Sequence, residues 1–353
     1  MRHLSTRLAG VALAALILAP LPSSARAPVV GGASPIAVTA SRIEAFSRTS
    51  GRTRYGALEF IGGLQFSSGD NRLKGISSMR LRDGGRRFLA VTDSGVWFAG
   101  AFRRDEAGRL KGIEDAVMAP MLDAQGEDMG GKASADAEAL AIRGDEVFVG
   151  FERNHRILSY RGAATPFAAP GRPVPLPIPR RELRANRGIE TIAASPKDGP
   201  LAGALVAVSE RSLDTQGRLY AGLLGGRRNG PFTVERETDW DVTDGAFLPD
   251  GDLLLLERRY TGPFGGLGSR IRRIAGETIR PGAVVTGPVI FEADLSDEID
   301  NMEGLDVWTD DAGATRLTLV SDDNGSFLQR NIVLEFRLVD DGKAAGLDAP
   351  RAP

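Results

Sequence analysis

The sequence predicts an all-β fold, a single β-propeller of four-stranded antiparallel blades. Three observations predict it. First, apolar strand-like runs end in an acid five times. Leu89-Ala90-Val91-Thr92 reaches Asp93, and Leu317-Thr318-Leu319-Val320-Ser321 reaches Asp322. Val147-Phe148-Val149-Gly150-Phe151, Leu205-Val206-Ala207-Val208-Ser209 and Leu253-Leu254-Leu255-Leu256 run into Glu152-Arg153, Glu210-Arg211 and Glu257-Arg258. Second, a small residue beside a bulky apolar one precedes each run, at Gly75, Ala139, Gly188, Gly245 and Gly304, with gaps of 64, 49, 57 and 59 residues. Third, turn signals such as Arg143-Gly144-Asp145 and Pro249-Asp250-Gly251-Asp252 separate the runs. A period near ~50 residues belongs to propeller blades, and Asp-Gly between apolar runs marks a hairpin.

Each unit keeps one order. In the second, residues 138–142 form a first strand, 146–152 a second and 156–160 a third, around a turn at 143–145. In the fourth, 245–248, 253–257 and 269–274 repeat that order. The proline-rich stretch 165–179 suits only an edge strand or an extended connection, because proline cannot donate to a ladder. Residues 123–132 and 263–268 read as acidic or glycine-rich insertions. Five units fill residues 70–338, and the strand material at 35–66 is expected to supply a sixth blade closed by both termini. Six blades are therefore expected, with five or seven as alternatives. The length alone, 353 residues, would suggest two domains, but one propeller absorbs it, so residues 28–353 read as one domain.

Residues 1–27 read as a secretory signal peptide: Arg2 and Arg7, an apolar core at 8–19, a Pro20-Leu21-Pro22 break and an Ala25-Arg26-Ala27 cleavage site. The core is too short to span a bilayer, so a periplasmic or secreted protein without a membrane span is expected. Removing the segment takes away three arginines and no acid, leaving 41 basic and 46 acidic side chains and a net charge of −5. That balance does not fit a nucleic-acid binder. No cysteine is present, which excludes disulfides, thiolate catalysis and thiolate metal sites. The exported chain keeps one histidine, His155, and has no Gly-x-Ser-x-Gly elbow. Residues 126–132 match the start of a phosphate-binding loop, but Ala133 replaces its hydroxyl residue and no apolar strand precedes it. Neither nucleotide nor haem is expected.

Carboxylates and arginines remain. Oxygen-only clusters suit hard cations, calcium above all, and arginine forks hold anionic oxygens. Glu138, Glu190 and Glu303 at the upstream station are read as the catalytic carboxylates. Asp93, Glu152, Glu210, Glu257 and Asp322 are read as a metal-binding ring. Arg153, Arg211 and Arg258 are read as substrate-binding. The alternative is that these arginines bridge acids of adjacent blades and only tie repeats together.

Several segments resemble the phytase-like family: Gly75-Ile76-Ser77, Val91-Thr92-Asp93-Ser94, Ala137-Glu138-Ala139-Leu140, Asn186-Arg187-Gly188-Ile189-Glu190, Ser209-Glu210-Arg211 and Asn301-Met302-Glu303-Gly304-Leu305. The resemblance spans residues 55–338. It implies a β-propeller and, by analogy with β-propeller phytases, calcium-dependent hydrolysis of phosphate esters. The expected activity is hydrolysis of ester or phosphoester bonds in a small anionic or ester substrate, using a divalent cation. A metal-dependent lactonase and a non-catalytic periplasmic scaffold are the alternatives.

Overall fold

The computed structural model describes residues 32–226, 228–262 and 266–339. The expected signal peptide, residues 1–27, lies outside them. Among the described residues the strands form five antiparallel sheets, and their innermost strands touch one another in a ring. The molecule is a five-bladed β-propeller. Blade 1 runs outward from Ile76–Arg82 through Arg87–Thr92 and Val96–Arg104 to Leu110–Pro120, with Ser34–Pro35 on its edge. Blade 2 holds Ala137–Arg143, Glu146–Phe151, Arg156–Arg161 and Arg172–Val174. Pro173 thus sits in an outermost strand, where its missing N–H is harmless. Blade 3 holds Ile189–Ala194, Leu205–Leu213, Leu219–Leu224 and Gly230–Val234, and Val284–Val285 joins its edge in parallel. That last strand comes from a connection inside blade 4, which comprises Asp241–Phe247, Leu253–Tyr260, Leu267–Ile274 and Val289–Asp294.

The sixth blade does not form. Blade 5 takes Asn301–Thr309, Thr315–Asp322 and Asn331–Leu338 from the C-terminal side, then Leu58–Ser68 and Val38–Ile43 from the N-terminal side. Leu58 pairs with Leu338 and Phe66 with Asn331, so one strand of 11 residues covers the open edge of the last C-terminal strand. An uncovered edge would leave a row of unpaired backbone groups. The 35–66 region contains no inner strand followed by an Asp-Gly hairpin, and it closes the ring instead of extending it.

Five hydrophobic clusters hold the blades together, one at each blade–blade interface. Leu253 and Leu255 pack toward Val206 and Val208 of blade 3, while Leu254 and Leu256 pack toward Leu305 and Leu317 of blade 5. Successive side chains of a strand point to opposite faces, so a blade buried on both faces needs an unbroken apolar run. This is why Leu253-Leu254-Leu255-Leu256 does not alternate with polar residues.

On the axis, the Arg80 guanidinium crosses from blade 1. Its Nη1 and Nη2 donate to the two Asp244 carboxylate oxygens of blade 4 at 2.7 and 2.8 Å. It also donates to the carbonyls of Leu305 at 2.9 Å, Gly245 at 3.2 Å and Ile192 at 3.3 Å. Blades 1, 3, 4 and 5 are tied at one level. Above this crossing lies a cavity of 220 Å³ lined by the beginnings of all five inner strands. Below it, a cavity of 230 Å³ is lined by their far ends, with Arg80, Ala141, Ala193, Gly245 and Asp306. Arg80 therefore divides the channel.

Candidate functional site

The upper cavity is built by one device used five times. In every blade the pairing of the first and second strands slips by one residue near the start of the first strand. The residues left out of register are Ser77, Glu138, Glu190, Thr243 and Glu303. A bulge re-aims the side chain of its extra residue, and all five of these line the cavity. Beyond each bulge, the end of the second strand supplies one more residue. Asp93, Glu152 and Glu210 sit there with their N–H groups bonded to the carbonyls of Gly75, Asp136 and Gly188 at 2.8, 2.8 and 2.9 Å. Asp322 pairs with Asn301 at the same point of blade 5. In blade 4 that place belongs to Arg258, which pairs with Asp241. These five line the cavity as well, so it is a double ring with one cation among the acids.

This geometry leaves three of the expected site residues outside the cavity. Glu257 does not face the cavity. It is buried within blade 4, where Arg270 Nε and Arg272 Nε donate to it at 2.6 and 2.8 Å. The repeated Glu-Arg dipeptide is out of step in blade 4 by one residue, and a one-residue shift along a strand exchanges its faces. Arg153 stands half-exposed with a left-handed φ of 53° and donates to Asp136 Oδ2 at 2.7 Å. Arg211 reaches from blade 3 to Asp241 of blade 4. Neither lines the cavity, and both clamp acids at its margin. Replacing Glu257 with glutamine will therefore lower unfolding free energy by roughly 1.5–3 kcal/mol, the range for hydrogen bonds to a charged group, with no change in cation binding. Denaturant titration with and without calcium checks this.

The side of the upper cavity built by blades 2 and 3 is crowded with like charge. Oxygens of Asp136, Glu138 and Glu152 lie within 4.8 Å of one another, and so do those of Glu152, Glu190 and Glu210. Glu152 belongs to both groups and accepts the Gly188 N–H at 2.6 Å. Gly188 must be small: a Cβ there would stand 2.6 Å from the His155 ring. His155, the one histidine besides His3, is buried against this wall. Burial and the neighbouring acids push Glu138 and Glu190 well above the usual carboxylate range. Burial raises Glu210 to about 7, with Asp241 adding to it. Asp322 is raised to about 7 by burial, Glu303 and Asp93 against its bond from the Asn324 N–H.

Cations answer only part of this charge. Arg258 binds Asn301 and Glu303. Lys132, the end of the phosphate-loop-like segment, donates to Asp93 Oδ2 at 2.7 Å and lies 3.5 Å from Asp136 Oδ1. Asp136 Oδ1 is buried without a hydrogen bond. Ser77, Thr243, Lys132, Asn301 and Asp136 are not among the site residues expected from sequence. The strand-ending acids were legible because they repeat. Glu138, Glu190 and Glu303 were legible as acids, whereas Ser77 and Thr243 occupy the same bulge with other side chains and only register reveals them.

A sequence profile described as phytase-like, esterase-like activity of phytase, matches residues 71–325. The chain belongs to the phytase-like family. Comparison with curated proteins gave no match. Among solved structures, this chain aligns with several at low identity. The PQQ-bound form of aldose sugar dehydrogenase from Streptomyces coelicolor is 12% identical, with 86% of this chain and 99% of that one covered and a TM-score of 0.39. YCF48 bound to D1 peptide is 14% identical, covering 82% and 98%, with a TM-score of 0.31. Dihydro-heme d1 dehydrogenase NirN in complex with DHE is 11% identical, covering 79% and 52%, with a TM-score of 0.34. These likenesses carry no argument about chemistry.

Proposed function

We propose that this phytase-like protein is an exported, periplasmic or secreted, hydrolase of ester or phosphoester bonds that works with a divalent cation. The observation that carries the reading is the pair of carboxylate groups sharing Glu152, of which, among the described residues, only Asp136 is ion-paired, with Lys132 and Arg153. Packing acids together in a low-dielectric pocket is costly unless something positive offsets them. An all-oxygen donor set fits a hard cation, calcium first. Asp136, Glu138, Glu152, Glu190 and Glu210 would hold it. Such a cation, when bound, lowers the pKa of water and neutralises developing negative charge.

The remaining residues serve the substrate. Arg258 faces the cavity with its guanidinium restrained by Asn301 and Glu303, which fits it to orient an anionic or carbonyl oxygen. Asp322, with a pKa of about 7, is matched to taking a proton from water near neutral pH. Glu303 is engaged by Arg258 and serves to position it.

Chelator-treated protein will melt several degrees higher with millimolar calcium at pH 8, because the folded state alone binds the ion. The rise will shrink toward pH 5, where the raised carboxyls keep their protons. No shift with calcium, magnesium or manganese at pH 8 would overturn the reading and leave a non-catalytic scaffold.

A further inference from the structure

Beside the axial cavity lies a larger cleft of 730 Å³ between blades 4 and 5. The two adjoin, and Arg258, Asn301 and Asn324 line both. Their chemistry differs. The axial cavity is walled by acids, whereas the cleft presents Tyr260, Leu267, Leu295, Ile299 and Leu328. Tyr260 is 65%, Leu295 48% and Leu328 77% exposed, and Phe327 beside Leu328 is 96% exposed. Only Val284 and Val339 share that property among the described residues, so exposed apolar side chains concentrate at this mouth. Concentrations of this kind mark binding sites, and the volume falls within the ~300–1,000 Å³ usual for small-molecule sites.

The cleft walls are braced. Arg48 Nε donates to Glu298 at 3.0 Å, Arg330 Nη1 donates to Glu298 at 2.7 Å, and Arg330 Nε donates to Asp300 at 3.3 Å. These acids and arginines satisfy one another and leave the apolar groups free. The axial cavity itself disfavours a polyphosphate: Asp93, Glu138, Glu152, Glu190, Glu210, Glu303 and Asp322 face only Lys132 and Arg258. One divalent cation still leaves this lining anionic.

Resting on the hydrolase reading above, we infer that the substrate is an amphiphilic carboxylic ester whose acyl chain lies in the blade 4–blade 5 cleft while its ester group sits at Arg258. Water adds across the acyl C–O bond: its oxygen joins the acyl carbon and one of its protons ends on the leaving alcohol oxygen. The products are a carboxylic acid and an alcohol. Arg258 stands at the junction, and the apolar wall selects chain length.

The test uses the mature protein with calcium, p-nitrophenyl acetate, p-nitrophenyl octanoate and p-nitrophenyl phosphate. Octanoate should exceed acetate in kcat/KM, and L328D or L295D should reduce that ratio about tenfold, the scale on which pockets sense methylenes. V284D, on the edge of blade 3, should keep the ratio. Binding of anilinonaphthalene sulfonate, read by fluorescence without turnover, should weaken about tenfold in L328D and L295D. If esters are cleaved with no chain-length preference, or phosphate fastest, the inference falls and the hydrolase stands. If nothing is cleaved yet the probe binds and responds to L328D, the hydrolase falls and the cleft remains an amphiphile site. If the probe ignores both variants, the cleft assignment is overturned.

Discussion

Arg80→Met will destabilise the propeller by about 3–5 kcal/mol, the loss typical of removing one partner of a buried ion pair. The reason is what remains. Asp244 is fully buried and would keep only the Ser78 hydroxyl at 2.9 Å and the N–H groups of Gly245 and Leu305 at 2.7 and 3.0 Å. The carbonyls of Ile192, Gly245 and Leu305 would also lose a donor. Burial already raises the Asp244 pKa, with Arg80 opposing it. Without Arg80 the carboxyl will titrate higher still. A group with a raised folded pKa stabilises the fold below its unfolded value and loses that contribution as pH rises through the folded value. The deficit of Arg80→Met will accordingly be smaller near pH 4 than at pH 7. Adding Asp244→Asn removes the orphaned charge and should recover at least half of the loss. Urea midpoints at the two pH values measure this. A shift below about 0.5 kcal/mol, ordinary for a surface change, would mean that the crossing is not what fastens the blades.

How much of this could be read from the chain depends on what repeats. The fold class was legible because both faces of each blade are buried, which forces runs such as Leu253-Leu254-Leu255-Leu256, and because hairpin turns fall between them. The number of blades was not. Residues 58–68 look like blade material, yet nothing local tells that they will pair with 331–338 at the far end of the chain. That pairing is a long-range consequence of ring closure. The site was legible where residue type repeats at one structural place: Asp93, Glu152, Glu210 and Asp322 all line the cavity, as do Glu138, Glu190 and Glu303. It was misread where a repeated dipeptide served as the anchor. Arg258 stands where the other blades carry an acid, and Glu257 is turned into the sheet against Arg270 and Arg272. The common structural anchor is the bulge, which holds Glu138, Glu190 and Glu303 in three blades but Ser77 and Thr243 in the other two. A bulge is a mismatch between two strands, so no single strand announces it.

Glu152→Gln will separate a cation site from a structural acid by the sign of its effect on stability. Glu152 belongs to both carboxylate groups, so its loss should weaken calcium binding by about 100-fold, the upper end for changes around a metal ligand, and remove most calcium-dependent turnover. In chelator the same change should raise the melting temperature. Burial raises the Glu152 pKa, with the Gly188 N–H opposing and Asp136 adding to it. Its stabilising contribution is present below the ordinary carboxylate value and is lost as pH climbs through the raised one. At pH 8 the ionised carboxylate is therefore a burden on the metal-free fold, and the neutral amide relieves it while still accepting the Gly188 N–H. At pH 4 the wild-type carboxyl is already neutral and the gain should vanish. Calcium will then reverse the ranking at pH 8, because only the wild type binds it tightly. Arg80→Met and Glu257→Gln behave in the opposite way, destabilising with and without calcium, since their charges are paired inside the protein. If Glu152→Gln lowers the melting temperature in chelator at pH 8 as well, the acids around it are held by the fold for its own sake, and the cation reading fails with them.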